Sequence, residues 1–283
     1  MRDASIVVKK KGFVLIAVLA ITGIITALAV GFIYTVQTST SLLSSFADST
    51  KAYSMAKSAL LVGLGELKAK VNSKDYNGRL PEEIAVKNPY PLREDLVVKI
   101  EDESGKFNLN SLVFPSGANN PEAVSDLKRL LEHLNLSVGI AEKIAAWAKI
   151  VSFESTDVLL LIPGITIRDF SVLDPYVTVY GDAMVNINSA DLPVLMSLSP
   201  KITETMAKQI KSFRRSSPFL RTSDVVKVPG FSSLGVDLIG KISINSIFFK
   251  LKIKVSYKGI KKEVWVIAKN RANRMIVESW REI

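Results

Sequence analysis

The side chains that could carry chemistry are few in this sequence, and their spacing argues against catalysis. Its single histidine, His133, sits beside Glu132 in a Leu-Leu-Glu-His-Leu-Asn-Leu stretch, where an exposed helix position is expected rather than a general base. There are no cysteines, so disulfides, thiol nucleophiles and thiolate metal sites are excluded. Serines are plentiful, but none stands in a G-x-S-x-G frame. Glu101, Asp102 and Glu103 are adjacent, so a strand would send them to alternate faces and a turn would leave them in water. Asp169, Asp174, Asp182 and Asp191 are expected as helix caps and turn residues. We therefore expect no enzyme and no cofactor.

One junction does carry a chemical signal. Lys9-Lys10-Lys11-Gly12 runs directly into 22 residues, Phe13 to Tyr34, with no charge and nothing more polar than Thr22 and Thr26. As a helix this run would be roughly 33 Å long, enough to cross the ~30 Å hydrocarbon core of a bilayer. Basic residues precede it, and none follows until Lys51, which places the N-terminus in the cytoplasm and the rest on the other face. A signal anchor fits the run, and Ala27-Leu28-Ala29 could pass for a secretory cleavage site. The glycine between the basic and apolar runs fits something else, since it resembles a type IV prepilin leader. In such a leader a membrane peptidase cuts after the glycine, here between Gly12 and Phe13, and the new N-terminus, Phe13, is methylated.

The rest of the chain supplies the elements. Apolar residues Phe46, Tyr53, Leu60, Leu64, Leu67 and Val71 recur at helical spacing, and no proline occurs before Pro81, so one helix of about 60 residues with an uncovered stripe is expected. Leu96–Ile100 reads as a strand, with a hairpin turn over Glu101–Lys106 leading into Phe107–Asn110. Helical patterns run from Pro121 to Ala148, followed by short helices separated at Pro163-Gly164 and Pro229-Gly230. The tail, Ile244–Tyr257, Glu263–Ala268 and Met275–Trp280, reads as a three-stranded antiparallel meander. A sheet with one apolar face is the natural cover for the stripe.

Asn110-Ser111 and Asn188-Ser189 are expected as caps, and Asn245-Ser246 as a turn. A net charge of +10 directs attention to anionic partners, although its spread suggests a solvated face. Asn186 to Phe231 also resembles tandem helix-hairpin-helix units that hold DNA backbones, which makes a membrane-anchored DNA-uptake protein the rival reading. Its first turn, Leu198–Ile202, has Pro200 where a backbone donor is wanted.

Nearly the whole length resembles the K-type minor pseudopilins of type II secretion. The match is carried by the leader, by AKSALLVGL, by IEDESGKFNLNSL and above all by the DPYVTVYG to VNINSA block followed by Phe213-Arg214. The resemblance implies an α+β fold: a long N-terminal membrane-spanning helix packed on an antiparallel pilin-like sheet, with an inserted all-helical domain. It divides the chain into a leader (1–12), the transmembrane and amphipathic helix (13–72), the first part of the sheet (73–109), the insertion (110–242) and the last strands (243–283). It implies a single-pass inner-membrane protein with a periplasmic C-terminal domain that caps the filament tip. The I-type and J-type minor pseudopilins, the prepilin peptidase and secreted cargo would be its partners. Most pilin-like proteins carry glutamate at the fifth mature position. Here that position is Ala17, as expected of a subunit with no neighbour above it. Family members often bind calcium after a D-W-x-D motif. This chain reads Ala146-Trp147-Ala148-Lys149, so calcium is not expected.

Overall fold

The computed structural model describes residues 3–73, 76, 78, 80, 95–232, 234–235 and 237–283. One helix, α1 (Asp3–Val71), dominates it. It is the one described helix long and apolar enough to cross a membrane. Its threonines do not break the apolar run. The hydroxyls of Thr22, Thr26 and Thr35 each donate to the carbonyl four residues earlier, at 2.8–2.9 Å, so no bare polar group faces outward. The helix ends with Lys68 and Lys70 in its last turn, where cations complement the carbonyl end of the macrodipole.

Four antiparallel strands pack on its outer half, β1 (Asp95–Asp102), β6 (Phe248–Tyr257), β7 (Ile260–Arg271) and β8 (Arg274–Glu282), in the order β1-β6-β7-β8. Alternation decides the faces. Phe249, Leu251, Ile253 and Val255 of β6 and Val264, Val266 and Ala268 of β7 point at α1 and are almost wholly buried. Both tight turns use left-handed backbone at two successive residues, Lys258-Gly259 and Ala272-Asn273, matching the strand twist.

Two expectations are corrected here. The buried stripe of α1 is built less from large residues than from Ala52, Met55, Ala56 and Ala59, with Leu60, Leu67 and Val71 beyond them, whereas Phe46 stays 73% exposed. Small residues let the helix approach the sheet closely, and an apolar-size pattern overlooks them. The hairpin does not form either. After Asp102 the chain turns through a short 3-10 segment (Glu103–Gly105) into β2 (Phe107–Asn108), which pairs in parallel with β3 (Val177–Thr178), while β1 finds its partner far downstream in β6.

Residues 107–242 form a second core of their own. Its helices are α2 (Pro121–His133), α3 (Gly139–Ala148), α4 (Ile167–Leu173), α5 (Leu192–Ser197) and α6 (Glu204–Ser216). Between them lie two short parallel pairs, β2-β3 and β4 (Val185–Asn186) with β5 (Ile242–Ser243). The two halves repeat one plan. Each begins with a short strand reading Asn-x-Asn-Ser, continues through helices to a buried phenylalanine (Phe153, Phe219), and passes a 3-10 turn into Pro-Gly with its glycine at positive φ.

Candidate assembly site

The residues singled out for processing and assembly all lie on α1. Gly12 falls within the helix, Phe13 is 74% exposed and Ala17 is half-buried. From there to Tyr34 large apolar side chains stay open on every side, and beyond it Val36, Leu42, Leu43 and Phe46 stay open among serines and threonines. A helix apolar all round is stable only when lipid or other helices surround it. Contact with the body begins at Asp48, which meets Lys258 of the β6–β7 turn at 3.0 Å. It continues with Tyr53 edge-to-face on Trp280, centroids 6.0 Å apart, and ends where Asn72 reaches the β7–β8 turn. The helix is therefore two devices in one: a free arm, and a spine to which the sheet is fastened.

The acidic triplet is not left in water. Glu103 is buried, accepting from Lys106 Nζ and from the Thr178 hydroxyl, both at 2.6 Å. The Asp102 carboxylate accepts from Ser104 N–H at 2.9 Å, from the Ser246 hydroxyl and from Asn186 Nδ2. Burial pushes its carboxyl above the ordinary range, opposed by hydrogen bonds from Ser189, Ser246 and Ser104. Ser104 Oγ in turn accepts from Ile247 N–H at 3.0 Å. Gly105 completes the turn, because a Cβ there would lie 2.5 Å from Ser189 Oγ and 2.9 Å from its carbonyl carbon. This one turn ties the edge of the sheet to both halves of the helical unit, so the unit is held at a fixed angle.

The asparagines also differ from expectation. Asn110 and Asn188 are not caps but clamps. Asn188 Oδ1 accepts from Phe219 N–H and its Nδ2 donates to Phe219 O, both at 2.9 Å, and Asn110 grips Phe153 by the same two bonds at the same distance. Sequence reasoning missed this because a two-point grip on a distant backbone has no local spacing. The capping geometry belongs to the residues two positions earlier, Asn108 and Asn186, whose Oδ1 atoms accept from the N–H of Asn110 and Asn188.

The four scattered aspartates are occupied separately. Asp169 closes a capping box with Thr166, Asp174 accepts from Thr156, Asp191 precedes α5 and pairs with Lys211, and Asp182 offers its backbone carbonyl to Asn108. Among the described residues no three carboxylate or imidazole side chains converge. His133 lies in the last turn of α2. The DNA reading meets an electrostatic obstacle. At the Pro163-Gly164 hairpin the Thr166 N–H, which would receive a phosphate, already bonds the Asp169 carboxylate at 2.9 Å, and ahead of the second hairpin the Arg221 N–H bonds Asp224 at 2.9 Å. The Thr166 hydroxyl, then its N–H, hold the Asp169 carboxyl below the usual range, and Lys227, ahead of the Arg221 N–H, does the same for Asp224.

The helical unit's second half, with its clamp and parallel pair, is the segment that matches a known family. Residues 185–245 match the family of type II secretion system protein K. The protein K match thus spans β4 to the turn after β5, and it includes the Asn188 clamp. The fold agrees over a longer stretch. A chain in the crystal structure of the GspK-GspI-GspJ complex from the enterotoxigenic Escherichia coli type 2 secretion system superposes with a TM-score of 0.69 at 17% identity, covering 84% of this chain and 98% of that one. No curated protein matches the chain.

Proposed function

We propose that the chain is a K-type minor pseudopilin that caps the tip of a short periplasmic filament in type II secretion and helps to start its assembly. The observation that carries this reading is the division of α1 into an exposed apolar arm (to Phe46) and a spine packed on an antiparallel sheet (from Ala52). Such an arm stores a subunit in the bilayer and exchanges lipid for neighbouring helices when the subunit leaves it. The chain acts by assembly and uses no cofactor.

In this reading residues 1–12 are a leader removed between Gly12 and Phe13, and Phe13 becomes the methylated N-terminus. Residues 13–72 are anchor and spine, 73–109 and 243–283 are the sheet, and 110–242 are the cap. The anchor crosses the inner membrane once, with its N-terminus in the cytoplasm. A carboxylate at the fifth mature position would cost about 2.5–3.5 kcal/mol in the bilayer centre. Ala17 avoids that cost, which suits a subunit with no neighbour above it to supply a counter-charge. The Escherichia coli structure joins GspK with GspI and GspJ. We take the I-type and J-type minor pseudopilins as partners here, with secreted protein meeting the cap.

Intact mass of the protein from membranes with and without prepilin peptidase tests the reading. The expected result is loss of Met1–Gly12 plus one methyl group only when the peptidase is present. Cleavage near Ala29, or none, would overturn it.

A further inference from the structure

The joint between the sheet and the helical unit is built around a buried carboxylate that pairs with no cation among the described residues. Asp102 ends β1, and four other segments close on it. The 3-10 turn donates through Ser104 N–H, β4 through Asn186 Nδ2, and the chain beyond β5 through the Ser246 hydroxyl. The chain beyond α1 joins them at Gly78, whose carbonyl accepts from Asn186 Nδ2 at 2.8 Å. The cations lining the adjoining cleft are engaged elsewhere: Lys106 with Glu101 and Glu103, Lys252 with Glu101, Lys211 with Asp191, and Arg214 with the carbonyls of Ile187 and Ala190, while Arg215 is exposed. The cleft's remaining carboxylate, Asp174, accepts from Thr156. Of the titratable neighbours, Glu103 is a like charge that adds to the cost of ionising Asp102, and Tyr76 is pushed above its ordinary range by burial and stays neutral.

The hydrogen bonds at this joint have two settings. Ser246 Oγ accepts from Asn186 Nδ2 at 2.6 Å and has a single proton to give, with Asp102 on one side and the Gly78 carbonyl at 3.4 Å on the other. While Asp102 is ionised, its carboxylate holds that proton. Once Asp102 is protonated, its own O–H donates to Ser246 Oγ, and the hydroxyl is released to turn to Gly78. Protonation therefore removes a buried charge and adds one hydrogen bond across the joint. We propose that the joint is a proton-operated latch: with Asp102 protonated the helical unit is locked to the sheet, and ionisation loosens it. Burial already holds the Asp102 carboxyl above the usual range, so the locked form is favoured in acid and is lost as pH rises through that raised value.

The chain has no cysteines, so two labels can be placed at will, through Lys261→Cys at the start of β7 and Thr205→Cys on α6, both exposed positions. Time-resolved energy transfer between them, on the full chain in neutral detergent from about pH 4 to about pH 9, reads the spread of angles at the joint. The population of the loosened joint should rise up to about tenfold per pH unit above the ordinary carboxylate range and level off beyond the raised one. Asp102→Asn, whose amide N–H reproduces the protonated setting, should stay narrow throughout. Ser246→Ala removes the relay and should raise the loosened population in acid about twofold to tenfold, which decides the matter even where Asp102→Asn fails to fold. Glu103→Gln should keep the pH response of the unmodified chain. A spread that does not change with pH, an equal response in Asp102→Asn, no loosening in Ser246→Ala, or loss of the response in Glu103→Gln overturns the proposal.

Discussion

Replacing Asn188 with alanine tests the clamp that defines each half of the helical unit. The residue is completely buried, and its amide is the described partner of both the N–H and the C=O of Phe219, each at 2.9 Å. Phe219 is itself buried and stacked on Phe213, with ring centroids 5.2 Å apart, so water cannot readily replace the lost amide. A buried backbone group stripped of its partner costs about 1–3 kcal/mol, so Asn188→Ala should lose roughly 2–5 kcal/mol. For a body of this size that is a fall of roughly 5–15 °C in melting temperature. Asn188→Asp sharpens the test. It keeps the acceptor for Phe219 N–H but turns an oxygen toward Phe219 O, and when ionised it buries a charge. Its folded pKa must then lie above its unfolded value, so the variant is best tolerated in acid and loses stability as pH rises through the folded pKa. The order at pH 7 should be wild type, Asn188→Ala, Asn188→Asp, with the last two converging on acidification. Melting followed by circular dichroism in detergent at several pH values measures this. An Asn188→Ala melting temperature within about 2 °C of wild type would refute the clamp.

Three further outcomes are expected. Leu67→Ala removes a side chain wholly buried between α1 and the sheet and should cost about 2–5 kcal/mol in urea unfolding, leaving membrane insertion unchanged. Lys241→Met withdraws the ammonium that bonds Asp126 at 3.0 and 3.1 Å; burial already raises the Asp126 carboxyl against that pairing. With Arg129 still in place the loss should be about 2–4 kcal/mol at neutral pH. It should shrink as acid protonates Asp126, because a raised folded pKa favours the fold below it and is felt as a loss above it. Gly12→Val should abolish the mass shift produced by the prepilin peptidase, read on the intact protein.

What could be read from the sequence was whatever repeats at short range. An uncharged run of 22 residues preceded by three lysines reads as a membrane helix, and the β-branched runs and tight turns of β6 to β8 pointed to the meander. What escaped was long-range. β1 is completed by β6 more than a hundred residues away, so the local turn signal suggested a hairpin that the tertiary fold overrides. The alanines at 52, 56 and 59 carry too little side chain to mark a stripe. Burial of Glu103 depended on Thr178, and the Asn clamps on backbones 43 and 31 residues distant. One signal was available: the same separation divides Phe153 from Phe219 and Gly164 from Gly230, which marks an internal repeat.

The unbroken course of α1 from bilayer to sheet has a consequence for direction. A helix advances about 1.5 Å and turns about 100° with each residue. Because the sheet is fastened to α1 from Asp48 onward and the membrane run ends near Tyr34, the residues between them act as a screw thread. Their number sets which way the helical unit faces around the axis of α1 far more sensitively than how high it stands. Inserting one alanine in this neck should lift the helical unit by little more than an ångström, yet swing it through more than a quarter of a circle.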